Sequence, residues 1–486
     1  MNFDDLPKQW LVAQEIPENC AGVSHAAFQG WQIRTAAHVP VLSLQDADGR
    51  DLGRVIGWTI LDGTLYRTDT TLTLAAGDTP ETLYIRMGGR FVMLWQGAAG
   101  EILMREDSAG NLPAVYAKGL GAVGSTVTAL EMLGKMTPNV DAIALFEFPK
   151  NKGFLPFGLT PRAQAFRLMP NHTLDLRHFI TLRAWPDMDY MTRANMSAED
   201  CRAAMAQTVE IVRSHMAAIT KAQGDTVLYL SGGHDSRMVL AAASAQGVVD
   251  HLSFETLTTK GGLDIHIAEK LAQHLGRPHK TIIVRPPSKD EQADWITRAG
   301  GMIYDAVTDM ATTMTQHAPD NHPLSGTGAE IARGSNWTAE DHDAPDMDLT
   351  TLLQRLRIPD TPAVRNAGQR WLETVPEHAD AAMILDLAKI EQIHACWSGA
   401  AIYGHPIDLP TLHPFSGHRL NEILLALPVA YRASGQSYRD YVAHAAPAMG
   451  KIPVNKAAGL DRLKFWKEEL KSKVPGSVKR WLKPFR

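Results

Sequence analysis

Cysteine is scarce in this chain. The 486 residues hold three, Cys20, Cys201 and Cys396, and none forms a CxxC pair. That excludes a zinc knuckle and a dithiol redox motif, and a sparse odd count fits a reducing compartment. Also missing is any run of about 18 apolar residues, so no membrane-spanning helix is expected. The opening residues MNFDDLPKQW are acidic and lack a long apolar run, so no secretory signal is expected and the chain reads as cytoplasmic. On that reading the acceptor triplet Asn171-His172-Thr173 is a chance match. There is no basic surplus: the formal net charge is −5, which argues against a nucleic-acid partner. No GxxxxGK followed by Ser or Thr occurs, which removes the ordinary kinase or GTPase phosphate loop. Neither an internal repeat nor a low-complexity segment is present.

What is present is an ordinary globular composition, 45% hydrophobic and 21% charged, with chain for about two or three domains at roughly 100–200 residues each. Residues 1–190 read as a strand-rich α+β domain. Arg90–Trp95 and Glu101–Arg105 look like a hairpin turning through Gly97 to Gly100, while Ala142–Phe146 suits a helix or a buried strand equally. After a polar stretch ending near Met196, Ser197 and Asp200 form a helix-opening capping pair. Apolar residues then recur at Cys201, Met205, Val209, Val212, Met216 and Ile219, one face of a helix. Beyond it, Thr226–Leu230, Leu252–Thr256 and Lys280–Val284 read as strands, alternating with helices over Arg237–Ala243 and Asp264–Leu275. Such alternation implies parallel pairing, so residues 197–457 are expected to be an α/β domain. Residues 458–486 are a basic tail. From Asp461 onward it holds nine Lys or Arg against three acids, with Phe465, Trp466, Leu470, Trp481 and Leu482 interleaved. It suits either a solvated C-terminal helix or a surface-binding one.

The chemistry concentrates in Ser231-Gly232-Gly233-His234-Asp235-Ser236, between an expected strand and an expected helix. A helix opening there presents free N–H groups and a positive dipole end, and two glycines let backbone approach phosphate oxygens. Ser231 and Ser236 add hydroxyls. Asp235 cannot hold phosphate directly, but it can hold a Mg²⁺ bridging phosphates. A lysine-free glycine loop with an embedded Asp points to gripping pyrophosphate. A second glycine loop follows at Leu324-Ser325-Gly326-Thr327-Gly328-Ala329-Glu330, where Gly326 and Gly328 permit another close approach and Glu330 supplies a second carboxylate for the metal.

Together these segments resemble the synthetase domain of the asparagine synthetase family, the amide-forming branch of the PP-loop ATP pyrophosphatases. SGGHDSR, FETLTTKGGLDIHIAEKLAQHLGRPH and SGTGAEIARG carry the resemblance, which spans roughly residues 197–457. It implies a parallel-sheet adenine-nucleotide fold, ATP and Mg²⁺ as cofactors, and adenylation of a carboxylate with release of pyrophosphate. It implies that Ser231, Gly232, Gly233, Asp235 and Ser236 bind pyrophosphate, that Gly326 and Gly328 line the nucleotide site, and that Asp235 and Glu330 hold the metal. Lys456, in Pro453-Val454-Asn455-Lys456, resembles the family's late catalytic lysine, and Arg439 lies near a basic family position. Thr327 stands where asparagine-forming members carry Glu, Arg333 replaces an apolar residue, and LHPFSGHRL replaces an RVPFLD-like run. The last change brings in His413 and His418, with His405 just before; their spacing matches no zinc pattern.

The family's usual first domain is a glutaminase whose nucleophile is a cysteine directly after the initiator Met. Here residue 2 is Asn and Cys20 is internal. Yet GRFVMLWQ, REDSAGNLPAVYA and Phe166–His172 resemble later parts of that domain. The resemblance therefore implies a degenerate glutaminase-like first domain, and ammonia or a substrate amine as nitrogen donor. The expected partners are a small-molecule or peptide carboxylate and an amine, with no nucleic acid. Surface contact through the basic tail stays open. Two other readings stay open: a non-catalytic nucleotide-binding member, and a PP-loop tRNA-modifying enzyme. Scattered cysteines and net negative charge speak against the latter.

Overall fold

The computed structural model describes residues 6–18, 20, 24–147, 153–187, 196–244, 247–258, 262–304, 320–334, 336–456 and 465. The basic tail, apart from Phe465, lies outside the described residues.

The first part of the chain packs two large sheets. One has six antiparallel strands with Trp10–Ala13 near its centre, between Trp31–Thr35 and Ala122–Gly124. The other is built on the long pair Asp51–Leu61 and Gly88–Gln96. The expected hairpin is there: Gly88–Gln96 pairs antiparallel with Ile102–Glu106, from Val92↔Glu106 to Gln96↔Ile102. Its strand Gly88–Gln96 reads as a near-continuous apolar run because both faces are covered. Val92 and Leu94 enter the main core, while Phe91, Met93 and Trp95 enter a second core against Leu83 and Tyr84 of the helix Pro80–Arg86. Side chains alternate across a strand, so a run buried on both sides needs a layer on each. The ambiguous run at 142–146 is helical: Val140–Ile143 passes into a 3₁₀ turn, Ala144–Glu147.

A 26-residue helix, Ala198–Gln223, opens the second part. Ser197 caps it, accepting from Asp200 N at 3.1 Å, and Asp200 returns a bond to Ser197 N. All six residues of its predicted apolar stripe are at most 2% exposed. Behind it lies a parallel sheet, Thr226–Tyr229, Leu252–Thr258 and His279–Ile283. Single bridges extend this sheet, Leu228 to Leu324 and Leu324 to Leu412, both parallel. The loops leaving residues 230, 324 and 412 therefore emerge side by side at its carboxyl edge, where open α/β sheets place ligands.

Helices Ala381–Ala388 and Ala400–Gly404 are joined without a break by an 11-residue π-helix, Lys389–Gly399. It lies against the first part of the chain. Arg183 pairs with Glu391, Arg167 donates to the carbonyl of Ala395, and Gln392 Oε1 accepts from Phe157 N at 2.6 Å. One continuous core runs through both parts, from Trp10 and Trp58 to Leu385 and Tyr441. No helix among the described residues is long and apolar enough to cross a membrane.

Candidate functional site

The 231–236 loop lies between a strand and a helix, as the sequence predicts. Thr226–Tyr229 ends in the sheet, and the helix His234–Ala243 starts at Gly233 with no side chain capping its first turn. The loop is held open by its own hydroxyls. Ser236 Oγ accepts from Ser231 N at 3.1 Å and lies 3.1 Å from Ser231 Oγ, which accepts from Gly233 N at 3.2 Å. Both serines thus shape the loop. Asp264, first acid of the helix Leu263–His274, accepts from Gly232 N at 2.7 Å.

Gly326 and Gly328 are required by packing. A Cβ on Gly326 would lie 2.3 Å from Ser236 N, so the second glycine loop presses directly on the first. At Gly328 φ is +98°, and a Cβ would lie 2.3 Å from the carbonyl of Phe415. Both contacts are with backbone, which cannot move aside as a flexible side chain would.

The segment before Lys456 also reaches the loop. Arg237, fully buried inside the phosphate-loop helix, donates to the carbonyls of Ile452 and Pro453. Asn455 N then donates to Gly232 O at 3.1 Å. The next residue is Lys456, exposed beside the loop. Arg237 carries the alignment of a segment more than 200 positions later, a role that its place in SGGHDSR did not reveal. Arg439 is tied to Gln436 and Ser434 near the start of its own helix.

The two expected metal ligands have other partners. Asp235 receives a fork from Arg333, with Nε on Oδ1 at 3.1 Å and Nη2 on Oδ2 at 3.0 Å. Glu330 is turned inward. Its Oε2 accepts from Gly328 N at 2.8 Å, and its Oε1 lies 2.5 Å from His394 Nε2 and 3.4 Å from Lys389 Nζ. Burial pushes this carboxyl up, but His394 and Lys389 outweigh it and hold it well below its ordinary value. A hard divalent ion needs carboxylate oxygens free to coordinate it. Here the two carboxylates expected to share Mg²⁺ each already face a cation of the chain, Asp235 that of Arg333 and Glu330 that of Lys389.

The three histidines of the altered segment go to three places. His405 is half-buried, and desolvation followed by the charges of Lys8 and Arg90 pulls it down to about 3. His418 sits edge-on to Trp185, with ring centroids 5.0 Å apart, and bonds Glu422. His413 is buried between Arg90, which donates to Nε2, and Ser325 Oγ, 2.8 Å from Nδ1. An arginine only donates, so Nε2 is the acceptor and Nδ1 carries the proton. Ser325 accepts that proton's bond and donates its own hydroxyl to Thr327 Oγ1 at 3.0 Å. Ser325 and His413 therefore lack the polarity of a nucleophile and its base.

A model of the family described as asparagine synthase matches residues 207–449, half of the chain. That span contains both glycine loops, Arg333 and the π-helix, and it ends before Lys456. A search of curated proteins gives no match.

Proposed function

The chain belongs to the asparagine synthase family of ATP-dependent amide-forming ligases, and on that premise we propose that it activates a carboxylate as its adenylate and passes the acyl group to an amine. The observation that carries this reading is the convergence on one sheet edge of an uncapped helix start at Gly233, a second glycine loop in backbone contact with it, and the segment ending at Lys456. In the proposed sequence the substrate carboxylate oxygen attacks the α-phosphorus of ATP. The bond to the β-phosphate oxygen breaks, and pyrophosphate leaves with that electron pair toward the 231–236 loop. Backbone N–H groups of the first helical turn and the Lys456 ammonium take up the charge that develops. An amine then attacks the acyl carbon, and AMP leaves with the electron pair of the acyl–oxygen bond. Mg²⁺ is not carried into this sequence, because Asp235 and Glu330 are engaged as described.

The amine is ammonia or belongs to the substrate itself, with no glutaminase of this chain's own. Cys20 is buried, donates to the carbonyl of Met132, and its thiol is pushed up by burial. We read residues 1–190 as a degenerate glutaminase-like unit and 197–457 as the ligase unit. The test is incubation with ATP and a panel of amino acids, peptides and sugar acids, following nucleotide and phosphate products. AMP and pyrophosphate in equal amount are expected. ADP and phosphate as main products would sink the adenylation reading. Steady glutamate release from glutamine would sink the account of the first unit. The Asp235–Arg333 pair favours one second reading, a nucleotide-binding member without chemistry, which predicts ATP binding with no AMP from any acid.

A further inference from the structure

The Asp235–Arg333 fork inverts the part expected of Asp235. Its two oxygens take Nε and Nη2 of Arg333, a geometry that fixes a planar guanidinium in position as well as in charge. A guanidinium has five N–H donors, and this arrangement uses two of them. Among the described residues no other acceptor takes the Nη1 donors, and the Arg333 side chain is 37% exposed at the loop mouth. Arg333 ends the 3₁₀ turn Ala329–Arg333, which continues the second glycine loop, and that loop is in backbone contact with Asp235 and Ser236. Glu330, the remaining carboxylate of the expected metal site, is bonded inward to His394 and Gly328. A divalent ion at Asp235 would have to displace a fixed cation and then sit beside it, since Arg333 has no second carboxylate of this loop to move to.

We propose that Asp235 is a positioning residue for Arg333, and that this guanidinium, in place of a protein-held divalent metal, receives the polyphosphate of the nucleotide at the 231–236 loop. The proposal rests on the ATP reading above and specifies how that site balances charge. It leaves free any Mg²⁺ that the nucleotide brings, but gives the protein no carboxylate for it.

The experiment is titration calorimetry of the full chain with ATP, first in EDTA and then with excess Mg²⁺, for wild type, Arg333→Ala and Arg333→Lys. ATP affinity in EDTA should stay within about threefold of that in Mg²⁺. Arg333→Ala should weaken binding in EDTA by about 10–100-fold, the loss of charged hydrogen bonds. Arg333→Lys should recover only part, because an ammonium lacks the planar fork. Circular dichroism of each variant reports whether the fold is kept, and the wild-type comparison stands without any variant. As a second readout, Mn²⁺ titrated into the protein alone should keep the electron paramagnetic resonance signal of the free ion. Binding of ATP only when Mg²⁺ is present would overturn the proposal while leaving the ATP reading intact. So would a bound-Mn²⁺ signal lost in Asp235→Asn, or an Arg333→Ala variant that binds ATP in EDTA as wild type does. Absence of ATP binding in both buffers would overturn the ATP reading and this proposal with it.

Discussion

Arg183 grips Glu391 with donors at 2.7 and 2.9 Å, and Arg333 grips Asp235 with donors at 3.1 and 3.0 Å. The chemistry is the same and the surroundings are opposite. Arg183 and Glu391 have side chains 6% and 0% exposed, at the seam between the first sheets and the π-helix, where Trp371 Nε1 and Asn171 Nδ2 also donate to the carboxylate. Arg333 and Asp235 are 37% and 32% exposed, at the mouth of the phosphate loop. A buried charge that loses its partner has no water to turn to, whereas a half-exposed one has both water and any incoming anion. The seam pair is a fastening, and the mouth pair keeps donors to spare. The comparison teaches that burial, rather than pairing, separates a structural arginine from one free to meet a ligand.

The comparison breaks most readily at the seam. Arg183→Ala should cost about 3–5 kcal/mol of unfolding free energy, because Glu391 would keep its neutral donors Trp371 and Asn171 but lose the charge that compensates it in a buried place. Urea unfolding measures this, and a loss under about 1 kcal/mol would show that the two pairs are alike. At the mouth the largest effect should appear in rate instead of stability. Lys456→Ala should lower AMP formation by about 10²–10³-fold, the range for loss of a preorganised charge-stabilising donor, while ATP affinity falls far less. Single-turnover AMP formation beside calorimetry checks it, and an unchanged rate would make Lys456 an ordinary surface lysine.

Acid should find the seam before it finds the mouth. His172 lies at the seam, and burial followed by the Arg183 charge pulls it down to about 4 from 6.5. Between those values the unfolded chain binds a proton that the folded chain refuses, so the stability is whole above pH 6.5 and is lost as pH falls toward about 4. His322, enclosed beside Trp58 and also pulled down to about 4 by burial, adds in the same sense. The unfolding free energy from urea titration should therefore fall between pH 7 and pH 5, by on the order of 1–2 kcal/mol per histidine, and the urea midpoint with it. A flat midpoint over that range would contradict the enclosure. The smallest effect is expected from Arg333→Ala, which should change unfolding free energy by less than about 1 kcal/mol, as exposed pairs do. A loss near that of Arg183→Ala would erase the distinction between the two arginines.

Much of this site was legible in the chain. The capping pair Ser197 and Asp200, the stripe from Cys201 to Ile219 and the strand–loop–helix around SGGHDS all fell where local rules put them. Those features depend on neighbours a few residues apart, which periodicity and capping report directly. The helix after the loop starts at His234, three residues before the Arg237 that local pattern predicts, because glycines and an Asp read as loop until a sheet fixes them. The π-helix at 389–399 left no local signal. Arg333 did leave one, as a charge where the resemblance called for an apolar residue, but its partner Asp235 is 98 positions away.

By itself, then, the sequence determined which elements form and which loop carries glycines, hydroxyls and a carboxylate, since these follow from residue type and short-range spacing. Tertiary structure alone decided what the charges do. It turned Glu330 toward His394, set Arg333 on Asp235, sealed Arg183 against Glu391, and brought Asn455, the residue before Lys456, to Gly232 beside the segment that Arg237 holds. The reason is physical: the worth of a charge depends on its partner and on the water around it, and both are set by chain segments that meet only in the fold.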